Sequence, residues 1–74
     1  MSIRPYITLG EFEPEVIAAM SEALDAACAE IHFAATSMVR QVMAERIIAS
    51  ARTGERDPAS LRAAALAGIP REED

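Results

Sequence analysis

Apolar residues recur along residues 16–31 at helical spacing. Val16, Ile17, Met20, Ala23, Leu24, Ala27, Cys28 and Ile31 fall on one stripe at roughly 100° per residue. Glu15, Ala18, Glu22, Asp25 and Ala29 lie opposite, so this segment reads as a one-sided amphipathic helix. Its start is marked by Pro14, whose missing N–H costs nothing at the first helical position. Glu15 in the first turn suits the helix dipole. With Glu13 as cap, Phe12 and Ile17 stand at the two positions of a hydrophobic staple.

A second helical pattern, "MVRQVMAERIIASAR", covers residues 38–52, with Thr36 or Ser37 as candidate cap. The intervening "HFAATS" has no glycine or proline, so one helix from Pro14 to Thr53 is the alternative. Such a helix would be unusually long and would leave its stripe uncovered, which favours a break. The second helix is apolar on two sides. Met38, Val39, Val42, Met43 and Ile47 form one broad face, and Ala44, Ile48 and Ala51 continue onto another. Gln41, Glu45 and Arg52 form the wet edge. A helix apolar on two sides needs two neighbours, so a second copy of the chain is expected beside it.

The charged run "GERDP", residues 54–58, could be a binding loop, but every position has a reason in helix punctuation. Gly54 stands where a left-handed residue ends a helix. Arg52 suits the negative end of the dipole. Asp57 and Pro58 read as the cap and first residue of a third helix, which runs to about Ala67 before Gly68 and Pro70. These elements predict an all-α three-helix domain over residues 1–74: a long helical hairpin with a short third helix folded back, homodimeric through helix 2. Residues 1–12 form an N-terminal arm, and residues 69–74 an acidic tail expected to be mobile.

Composition narrows the function without naming it. Seventy-four residues lie near the lower limit for a self-sufficient core, which contributes only ~3–5 kcal/mol net at this size. One cysteine, Cys28, permits no internal disulfide and suits a reducing compartment. With neither a signal-like apolar run nor a membrane-length one, the expectation is a soluble cytoplasmic protein. The seven basic residues are all arginine. Residues 1–37 set Arg4 against six carboxylates, whereas residues 38–71 set six arginines against Glu45, Glu55 and Asp57. The two halves should attract, within one chain or between two. The net charge of −5 argues against a nucleic-acid surface.

"FEPE" followed by "AERIIASARTGERDPASLRAAAL" resembles a family of small hypothetical helical proteins from alphaproteobacteria. The pattern is carried by Ala44, Arg46, Ile47, Ile48, Ala51, Gly54, Glu55, Arg56, Asp57, Pro58, Leu61, Arg62, Ala65 and Leu66. It covers about a third of the chain and is most specific at "GERDP". The resemblance implies a small soluble helical protein, and it implies no activity. The stretch "CAEIHFAATSM" has no counterpart in that pattern.

Few residues could carry chemistry. Asp25, Cys28 and His32, spaced i, i+3 and i+7, include three possible zinc ligand types. Three ligands on one helix cannot easily surround one ion, and the plainer reading is a thiol at the core margin and a histidine at a helix end. No metal or cofactor is therefore expected. Arg46 emerges from the apolar face of helix 2, where a guanidinium must be paired or must reach water along its stem. A structural ion pair with a helix 1 acid or Asp57 is expected, with an anion site of Arg46, Arg56 and Arg62 as the alternative. A helix-turn-helix reader would find only Ser60 and Arg62 on the third helix to contact bases. One histidine, one cysteine and one tyrosine leave few nucleophile–base pairs, and no catalytic residue is assigned. Arg46, Gly54, Asp57 and Pro58 are assigned structural roles. The sequence points to a non-enzymatic protein-interaction or regulatory module. A small ligand- or metal-binding domain is the runner-up, and a nucleic-acid regulator comes third.

Overall fold

The computed structural model describes residues 3–7, 10–31 and 36–69. A short 3-10 turn, η1 (Arg4–Tyr6), precedes three α-helices: α1 (Pro14–Glu30), α2 (Ser37–Arg52) and α3 (Pro58–Ala67). This is the all-α three-helix domain that the periodicity predicts, and no strand occurs among the described residues.

α1 begins at Pro14 with Glu13 extended before it, and the Glu13 carbonyl accepts from the N–H groups of Val16 and Ile17, each at 3.0 Å. The Glu13 side chain makes no capping bond. The helix stops after Glu30, where Ile31 turns extended (φ −77°, ψ 150°). α2 restarts with Thr36 as its cap: the Thr36 hydroxyl oxygen accepts from the Val39 N–H at 3.2 Å. The chain therefore breaks between the helices, and of the two cap candidates Thr36 is the one used. A hydroxyl oxygen there satisfies one of the donors that a helix start leaves without a partner.

The core follows the predicted stripes. Val16, Ile17, Met20, Ala23, Leu24 and Ala27 are buried from α1, and Met43, Ala44, Ile47, Ile48 and Ala51 from α2. Leu61 and Ala65 complete the cluster from α3. Cys28 and Ile31, at the end of the α1 stripe, are only half-buried. α3 packs against both α1 and α2, more extensively than those two pack against each other. It is the wedge that fills the seam of the hairpin. In this way both apolar sides of α2 acquire neighbours within the chain.

The first residues contribute to the core as well. Ile3 is fully buried, its N–H donates to the Ser21 hydroxyl oxygen at 3.1 Å, and Tyr6, Ile7 and Phe12 pack against the cluster. η1 lies against α2. A fully buried side chain makes this segment part of the packed domain. In the tail, Ile69 packs against the core, and residues 70–74 lie outside the described residues.

Candidate functional site

The charged run Gly54–Pro58 is the first place to seek a site, and its geometry is that of a corner. Gly54 has φ +107°, a conformation that side chains resist. Its N–H donates to the Ala51 carbonyl at 3.0 Å, and the next N–H, of Glu55, reaches back to the Ser50 carbonyl at 3.3 Å. Those two bonds make a Schellman cap on α2.

The charged side chains are then spent on backbone. The Glu55 carboxylate accepts from the N–H groups of Arg56 and Asp57 at 3.0 and 3.1 Å. The Arg56 guanidinium donates to the carbonyls of Ala51 and Glu55 at 2.7 and 2.9 Å. Asp57 caps α3, accepting from the Ala59 N–H at 3.4 Å and the Ser60 hydroxyl at 3.5 Å. A binding loop needs groups aimed outward. Here Glu55, Arg56 and Asp57 serve orphan donors and acceptors of the two helix ends.

Arg46 corrects one expectation. Its side chain is exposed at the surface instead of being buried in an ion pair, and Nε donates to the Ala64 carbonyl at 3.2 Å. Its stem lies across Gly68: a Cβ at that glycine would stand 2.1 Å from Arg46 Cδ. The guanidinium reaches water along its aliphatic stem, and that stem occupies the space a Cβ at Gly68 would take. Sequence reading places Gly68 only as a helix stop and misses this contact, although its spacing near the end of α3 carries no signal of it.

Arg62 and Arg52 have acidic partners of their own. Arg62 Nε lies 3.1 Å from Glu30, joining α3 to the end of α1. Arg52 Nε lies 2.6 Å from Glu11, joining α2 to the segment before α1, and that carboxylate pushes the guanidinium pKa above its ordinary value. The acidic first half and basic second half thus attract within the chain. On α3, the two polar residues considered for base contacts, Ser60 and Arg62, both have in-chain partners, Asp57 and Glu30.

Of the Asp25, Cys28, His32 set, Asp25 and Cys28 stand on α1. α1 ends at Glu30, and His32 lies outside the described residues. Cys28 is half-buried, and burial pushes its thiol up, with Arg40 opposing and Asp25 reinforcing the shift. A thiol held protonated is a poor ligand and a poor nucleophile.

One surface feature does not follow from the helix punctuation. Met38, in the first turn of α2, is 75% exposed and is the one large exposed hydrophobic among the described residues. Val42, one turn on, is half-buried. Ala49 is exposed further along the same stripe. No helix of the described residues is long and apolar enough to cross a membrane. No family model, curated protein or solved structure matches this chain.

Proposed function

We propose that the protein is a small non-enzymatic interaction module of the cytoplasm that pairs with a second copy of itself. The edge of α2 formed by Met38 and Val42 is the contact. The observation that carries this reading is the exposure of Met38 beside a half-buried Val42, on a helix whose other large apolar residues are buried or half-buried. A methionine at a surface adapts to a partner's shape at little cost, and exposed apolar residues that adjoin are a common mark of association. Both sides of α2 meet neighbours of the same chain, so two-sidedness no longer supports pairing and the Met38 edge alone does. Two side chains form a small contact, and the association they support is weak and reversible.

The non-enzymatic part rests on the chain's single histidine, cysteine and tyrosine and on the in-chain use of the corner's charges. The pattern running through "GERDP" resembles the alphaproteobacterial family noted above, and its corner belongs to architecture under this reading.

Sedimentation across a wide concentration range tests the proposal. A dimer should form as concentration rises, and Met38→Lys with Val42→Lys should return it to a monomer with its helix content unchanged. A wild-type chain that stays monomeric throughout would overturn the pairing. A dimer indifferent to both substitutions would overturn the Met38 edge as its contact.

A further inference from the structure

We draw no further inference here: the strongest candidate, the shallow groove between α1 and the start of α3 lined by Glu22, Ala26, Asp57, Pro58, Ala59 and Arg62, carries nothing, because Asp57 already caps α3, Arg62 already pairs with Glu30, and nothing in the structure shows what would fill it.

Discussion

Arg46 and Gly68 form a pair that can be dissected by mutation. An exposed guanidinium with one backbone acceptor contributes like an ordinary hydrogen bond, so Arg46→Ala should lower stability by about 0.5–1.5 kcal/mol in urea unfolding. A buried charge pair would have lost on the order of 3–5 kcal/mol instead. Gly68→Ala places a methyl group against Arg46 Cδ and displaces that side chain from the Ala64 carbonyl. Once Arg46 is already alanine, the glycine substitution should cost less than it does alone. A double-mutant cycle reads that difference directly, and strict additivity would mean the two residues do not touch. Cys28 offers a second test at this scale. Burial disfavours its thiolate in the fold, so alkylation of the native protein should take off at higher pH than in urea. The folded state then holds its proton longer than the unfolded chain does. Stability should therefore fall as pH rises through the ordinary thiol range, and a native profile matching the urea profile would sink the claim.

At the scale of elements, caps decide where helices begin and end. Asp57→Ala should cost about 1 kcal/mol, because Ala59 N–H loses its acceptor, whereas Asp57→Asn should lose little. Thermal melts of the two variants separate a cap from a surface charge: equal losses would point to charge. Much of this level can be read in the sequence. The α1 stripe, Pro14, Gly54, Asp57 and Pro58 all stand where local chemistry places them, since each acts on its immediate neighbours. The break after Glu30 is less legible, because α1 ends with neither glycine nor proline and only Thr36 announces the restart. Arg46 is legible as an anomaly on an apolar face and illegible in its outcome. Whether it pairs or snorkels depends on Ala64 and Gly68, which lie across a tertiary contact that helical periodicity does not encode.

For the whole molecule, the question is how 74 residues assemble enough core. α3 answers part of it by covering α1 and α2 together. Ile3 answers another part, and it is invisible to periodicity because one side chain ahead of a three-residue turn makes no repeat. Ile3→Ala should cost about 2–5 kcal/mol, the range for a large aliphatic side chain deleted from a core. For a domain of this size that is most of its net stability, so the variant should be largely unfolded at mild denaturant. A loss under about 0.5 kcal/mol would reassign Ile3 to the surface.

The corner at Gly54–Pro58 has a wider consequence. Its bonds run almost entirely among residues 50–60, between groups that are close along the chain. It is a bend that carries its own instructions and borrows little from the rest of the domain. Moved between two other helices, those eleven residues should still turn the chain. When "GERDP" recurs between helical stretches of an unrelated protein, it is better taken as a hinge pin of construction than as the signature of a shared trade.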